Sequence, residues 1–249
     1  MRIQSWGAAL LVLGAMLGSG AQAANTPSSS AAPIAGSQTA PIPVPQPSAQ
    51  AGISFTAYGG YTGSNDWNGG YLGVIVPINP QRSLDGLLLR ADGLYGSSNY
   101  DISMGDAMIG YGTSAGPGWL SGFVGPAFET DSTHGSGPHG TKWGVKGSVE
   151  YDTPMSNQFR FSGLVSYASP YSNTLALARL GYQVGSTVHI GPEVSGIWRD
   201  GYREDDVGGF VDIDTRWGGL SVSGGYADPQ SQGNKSGFYI GVDLGVAVH

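Results

Sequence analysis

Residues 173–199, NTLALARLGYQVGSTVHIGPEVSGIWR, alternate in character with a period of two. One face carries Thr174, Ala176, Ala178, Leu180, Tyr182 and Val184, then Val188, Ile190, Pro192, Val194, Gly196 and Trp198. The other carries Asn173, Arg179, Gln183, His189, Glu193, Ser195 and Arg199, interrupted by Leu175, Leu177 and Ile197. Side chains of a strand point alternately to its two faces, so this is a two-stranded hairpin with one apolar and one mainly polar face. A one-residue slip would mix the faces. Keeping them apart sets Val184 opposite Val188, Tyr182 opposite Ile190 and Arg179 opposite Glu193, around a loop of Gly185, Ser186 and Thr187. Opposite charges facing each other across strands attract, so Arg179 and Glu193 are predicted to pair. Each strand is about 12 residues long, where a globular strand has roughly 5–6. A tilted strand needs about 9–11 residues to cross a bilayer.

The same pattern recurs from Gly52 to the C-terminus and predicts strands near 53–63, 70–78, 86–97, 103–113, 118–130, 141–152, 158–168, 173–184, 188–199, 206–217, 219–228 and 237–248. The fold class expected is all-β: a transmembrane antiparallel up-and-down β-barrel of about 12 strands, with 10–14 compatible with the pattern. If the first strand runs outward, Ser64–Gly69, Ser98–Ile102, Asp131–Gly140, Ser169–Ser172, Asp200–Asp205 and Pro229–Ser236 are outer loops, on average longer than the inner turns, with the inner segment 79–85 the exception. Tyr61, Tyr95, Trp143, Tyr167, Trp198, Tyr226 and Phe238 then fall near the outer strand ends, on the apolar face. Phe55, Tyr111, Tyr151, Phe159, Tyr182 and Trp217 fall near the inner ends. Two aromatic belts are what the two interfaces of a membrane favour.

The N-terminus adds compartment. Arg2, the apolar run Ala8–Leu17 and the small-residue site Ala21-Gln22-Ala23 form a secretory signal peptide pattern over residues 1–23. Residues 24–51 are rich in Pro, Ser and Ala, including Pro27, Pro33, Pro41, Pro43, Pro45 and Pro47, and read as a disordered linker that cannot bury a core. The expected barrel spans 52–249, and the expected location is a bacterial outer membrane, after cleavage near Ala23. Glycine, at 43 of 249 residues, suits a closely built wall, and charged residues are only 12%. Cysteine is absent, which removes disulfides and thiolate metal ligands. A net charge of −7 argues against nucleic acid as a partner.

Chemistry is confined to charges on the lumen-facing positions: Arg90, Asp92, Asp106, Lys142, Lys146, Glu150, Arg160, Arg179, Glu193, Arg199, Asp212, Asp214 and Asp243. With Tyr151 opposite Phe159, Glu150 would face Arg160 as a second ion pair. Such a lining can act as a selectivity filter or polysaccharide path, or as a network that satisfies buried charge and stiffens a narrow barrel. His134 and His139 share a glycine-rich loop at no metal-binding spacing, and no metal or other cofactor is expected. His189 could serve a barrel-embedded hydrolase, although no GxSxG, HExxH or phosphate-loop motif is present. Asp205-Asp206 reads as an exposed acidic pair.

Several segments carry a resemblance: DGLLLRADGLYGSSNY at Asp85–Tyr100, DAMIGYG at Asp106–Gly112, ARLGY at Ala178–Tyr182, IGPE at Ile190–Glu193, and Gly208–Val211 with the later glycine-rich strands. Together they resemble the BcsS-type cellulose biosynthesis family of bacterial outer-membrane proteins. The resemblance implies a non-enzymatic barrel accessory to making or exporting cellulose, with no catalytic residues to transfer. Its implied partners are outer-membrane lipid and either the cellulose secretion machinery or the polysaccharide itself. A small-solute channel and a barrel-embedded hydrolase are the competing readings.

Overall fold

The computed structural model describes residues 55–248, apart from 65–66, 80–83, 98–99, 134–139, 155–156, 200–201, 216–217 and 231–235. The expected signal-peptide and linker segments, Trp217, His134, His139 and His249 lie outside the described residues. Twelve strands follow in order: β1 Phe55–Ser64, β2 Asn68–Pro77, β3 Gly86–Ser97, β4 Tyr100–Ala115, β5 Gly118–Thr133, β6 Gly140–Asp152, β7 Phe159–Ala168, β8 Asn173–Gln183, β9 Val188–Arg199, β10 Tyr202–Thr215, β11 Gly218–Pro229 and β12 Gly237–Val248. Each pairs antiparallel with its sequence neighbours, and β1 pairs with β12, which closes the ring. Closure removes the free edges, so every strand has a hydrogen-bonded neighbour on both sides, as hydrocarbon demands.

The outward face is apolar. Leu72, Ile109, Val124, Val149, Val207, Ile240 and Leu244 are exposed around its middle. Tyr61, Tyr95, Trp143, Tyr167, Tyr226 and Phe238 stand exposed at the end where β1 finishes, called the outer end below. Tyr111, Phe159 and Tyr182 do so at the opposite, inner end. Neighbouring rings pack in pairs within these belts, Tyr226 with Phe238 at 6.0 Å and Phe159 with Tyr182 at 5.4 Å between centroids. Among the described residues no helix is long and apolar enough to cross a membrane; this fold crosses with strands.

The β8–β9 hairpin has the register that its two faces require, with Arg179 opposite Glu193 and Tyr182 opposite Ile190. Three other expectations need correction. The strands β4, β5 and β10 run further outward than the pattern suggested, taking Ile102, Asp131 and Arg203–Asp205 out of the loops. Connections are consequently of similar length at both ends, two to seven residues at the outer end and two to eight at the inner. Second, Tyr151 lies opposite Gly163 and Glu150 opposite Leu164, a shift of four residues from the expected β6–β7 register. The cause is Thr153: its backbone N–H donates to the Phe161 carbonyl at 3.0 Å, and its Oγ1 accepts from Phe161 N–H at 2.8 Å. The shift is even, so both faces survive it while the cross-strand partners change. Third, Asp205 and Asp206 are split by the pleat. Asp205 faces out beside Arg203, whereas Asp206 is buried and accepts from Ser195 Oγ at 3.1 Å.

The interior is filled. Tyr58, Tyr71, Ile75, Leu84, Leu88, Met108 and Phe123 form one apolar cluster. Leu164, Leu175, Leu177, Ile197 and Tyr202 form a second, in the outer half on the other side of the lumen. The three apolar residues that broke the polar face of β8–β9 thus belong to an internal plug. Glycines give the rings their room: a Cβ on Gly73 would sit 2.4 Å from the Tyr58 ring, and one on Gly60 2.6 Å from the Tyr71 ring. Both contacts are far inside van der Waals distance. Gly73→Ala and Gly60→Ala are each expected to destabilise the barrel by about 1–3 kcal/mol. The folded, heat-modifiable band on a gel should convert at lower temperature, while alanine at outward-facing Gly70 should leave it unchanged.

Candidate functional site

Charges reach the lumen from β3 through β10 and from β12, whereas β1, β2 and β11 contribute none. Arg90 on β3 reaches across the lumen to Glu150 on β6, with β4 and β5 between them in the ring. Its Nε donates to Asp92 at 2.7 Å, and its guanidinium lies over the rings of Tyr58 and Phe123 at 5.5 and 5.3 Å. Tyr58 donates to the same Asp92. Lys146 donates to Asp106 at 2.6 Å and lies 3.7 Å from Asp92.

A second group sits on the opposite wall. Arg179 pairs with Glu193, lies 3.5 Å from Asp243 on β12, and donates to Ser221 at 3.1 Å. Tyr71 donates to Asp243 at 2.7 Å and Tyr239 to Glu193 at 2.9 Å. Arg160 is held between Asp152, at 3.0 Å, and Asp212. Hence Arg160 pairs with Asp152 and Asp212, and Glu150 with Arg90; the anticipated Glu150–Arg160 pair does not form. Arg199 at the outer end reaches Glu129 at 2.9 Å, from β9 across to β5. Lys142 and Asp214 occupy strand ends and are exposed.

Glu129, Asp152 and the tyrosine hydroxyls are partners that the charge inventory missed. Parity alone could have found the two carboxylates, since Glu129 continues the inward row of Phe123 and Ala127, and Asp152 that of Glu150. No such signal existed for Tyr58, Tyr71 and Tyr239, because an inward tyrosine looks like any other interruption of a polar row. His189 is fully buried, with Nε2 donating to the Asn157 carbonyl at 2.8 Å. Among the described residues no group of acidic or histidine side chains could hold a metal ion.

A cavity of about 60 Å³ remains in the outer half, lined by Asp92, Asp106, Lys146, Ser166, Asn173 and Arg199 among others. Ligand pockets are roughly 300–1,000 Å³. This space suits a few waters, which need about 10–15 Å³ each. Asp106 Oδ1, Asn173 Oδ1 and Arg199 Nη1 have no hydrogen-bond partner in the protein. Next to it, the turn Pro170–Ser172 between β7 and β8 folds inward. Tyr171 and Ser172 have φ of 54° and 49°, the two non-glycine residues with positive φ among those described. Such a conformation costs roughly 1–2 kcal/mol per residue. The offset is visible around the Tyr171 ring, which lies 3.9 Å from Lys142 Nζ and 5.1 Å from the Arg199 guanidinium. Its hydroxyl donates to the Gly140 carbonyl at 3.2 Å. Desolvation, reinforced by Asp131 and Glu129, raises the Tyr171 pKa above that of an ordinary tyrosine, so the phenol stays neutral.

The energetic weight of the network lies in its completeness. Removing one partner of a buried pair costs about 3–5 kcal/mol, because the other charge is stranded. Arg160→Met should therefore lower stability by about that amount, with Asp152 and Asp212 both left uncompensated. Urea unfolding in detergent checks this, and Arg160→Met with Asp152→Asn and Asp212→Asn should recover most of the loss.

The family model for cellulose biosynthesis protein BcsS matches residues 49–247. No curated protein matches the chain in sequence. Among solved structures, an outer membrane channel from Pseudomonas putida F1 is similar with a TM-score of 0.52 at 12% identity, covering 87% of this chain and 100% of that one. KdgM porin is similar with a TM-score of 0.49 at 8% identity, over 78% of this chain and 99% of that one. At such identity the channel shows a shared barrel fold, while the sequence match extends over nearly all of the barrel. By that match, the chain belongs to the cellulose biosynthesis protein BcsS family.

Proposed function

We propose that this protein is a closed, non-enzymatic outer-membrane barrel that assists cellulose biosynthesis or secretion from the membrane, without conducting the polymer. The observation that carries this reading is the obstructed lumen. Arg90–Glu150 and Arg199–Glu129 cross it, and two apolar clusters fill the space beside them. A glucan chain could pass only by dismantling buried ion pairs, each at a cost of several kcal/mol. Residues 1–23 act as the export signal, and residues 24–51 tether the barrel on the periplasmic side. The partner is the cellulose machinery or its polysaccharide, contacted at the barrel ends.

A small-solute channel is the second reading, favoured by the charged side chains of Asp92, Asp106, Lys146 and Arg199 at the otherwise largely apolar outer cavity. Among the described residues buried carboxylates outnumber buried guanidiniums nine to three, so residual conduction would prefer cations.

Deleting the gene should reduce cellulose output and biofilm, and a barrel-only copy lacking residues 24–51 should restore membrane insertion but not full output. Unchanged cellulose would remove the process assignment. In planar bilayers the purified barrel should show little or no steady conductance. Stable, cation-selective single-channel steps would favour the channel reading instead.

A further inference from the structure

We propose that the Pro170–Ser172 turn is a displaceable closure over the outer cavity, with Tyr171 as its latch. The inference goes beyond the reading of the barrel as closed, since it names the element that closes its outer half and implies a second, open state.

Three observations converge on this turn. The backbone is strained at two successive non-glycine positions, and such strain persists only where surrounding contacts hold it. Those contacts are concentrated in one side chain: the Tyr171 ring, only 4% exposed, between Lys142 and Arg199. Finally, the element sits at a cavity wall. Pro170, Asn173 and Arg199 all line the cavity, whose unpartnered polar atoms belong to Asp106, Asn173 and Arg199.

The rest of the turn is tied down chiefly at Ser169, which can serve as the hinge. Ser169 N–H donates to the Val145 carbonyl at 2.9 Å, and Val145 N–H donates to Ser169 Oγ at 2.9 Å. Ser172 N–H closes the turn onto the Ser169 carbonyl at 3.2 Å. Swinging Tyr171 outward keeps the Ser169 anchor to β6, relieves the left-handed backbone, and gives up the ring's two cationic neighbours. Strain and contacts therefore oppose each other within one turn, as a two-state element requires. On the inner side Tyr58, Leu88 and Phe123 block the alternative route to the cavity.

The absence of cysteine gives a direct test. Ser166 lines the cavity, and Thr141 is exposed near the outer end. In detergent-solubilised barrel, Ser166→Cys is labelled with a charged methanethiosulfonate, and its rate is normalised to that of Thr141→Cys. With Tyr171 present, labelling of Ser166→Cys should be slow. Adding Tyr171→Gly should accelerate it at least tenfold, and Tyr171→Phe, which retains the ring, should leave it slow. Glycine adopts positive φ freely, so Tyr171→Gly suits the turn and should fold. Heat-modifiable mobility verifies this, and Tyr171→Ala substitutes if it does not. Equal Ser166→Cys rates with and without the Tyr171 ring, whether fast or slow, would overturn the latch. Such a result would leave the closed-barrel reading standing, since that is judged by conductance.

Discussion

Charge inside a narrow barrel has no bulk water to fall back on, and each buried ion must be answered from the wall it faces. Twelve strands leave a lumen that side chains can cross, and they do: arginines from one side reach carboxylates three or four strands away. This requirement shapes the rest. It sets which inward positions are glycine, because the tyrosines that complete the network lie flat against the neighbouring strand. It also explains why apolar clusters occupy the remaining volume, since water admitted there would compete for the same carboxylates. The outer face needs nothing comparable. Lipid asks only for apolar side chains and paired backbone, and simple alternation supplies both.

That contrast decides how much could be read from the sequence. The wall was legible because period-two alternation is local: each strand declares its faces without reference to any other. The β8–β9 register followed from a short loop that left no room for slippage. Where a turn was longer, as between β6 and β7, a threonine clamp on Phe161 moved the register by four residues, and the partner of Glu150 moved with it. Asp205 and Asp206 looked alike in the chain but stand on opposite sides of the wall. Pairings across the lumen, such as Arg90 with Glu150, depend on curvature and diameter. Neither is written in any one segment.

Membership of the BcsS family and a filled lumen constrain each other. The family ties the chain to cellulose, and the struts oppose a polymer passing through. Under the proposed reading, such a barrel works at its ends or its outer wall, by anchoring, docking or sensing. The strained turn at Tyr171 is in keeping with that, since a barrel whose interior is braced can afford movement only at its rim.

The Tyr71–Asp243 hydrogen bond has a consequence for how the molecule is made. Tyr71 belongs to β2 and Asp243 to β12, and β1 lies between them. The bond therefore spans the place where the first and last strands meet, and it can form only after the ring has shut in the correct register. Arg179, anchored from β8, reaches the same carboxylate. A misaligned ring would strand Asp243 without its tyrosine, so a single buried acid tells a finished barrel from one closed out of step.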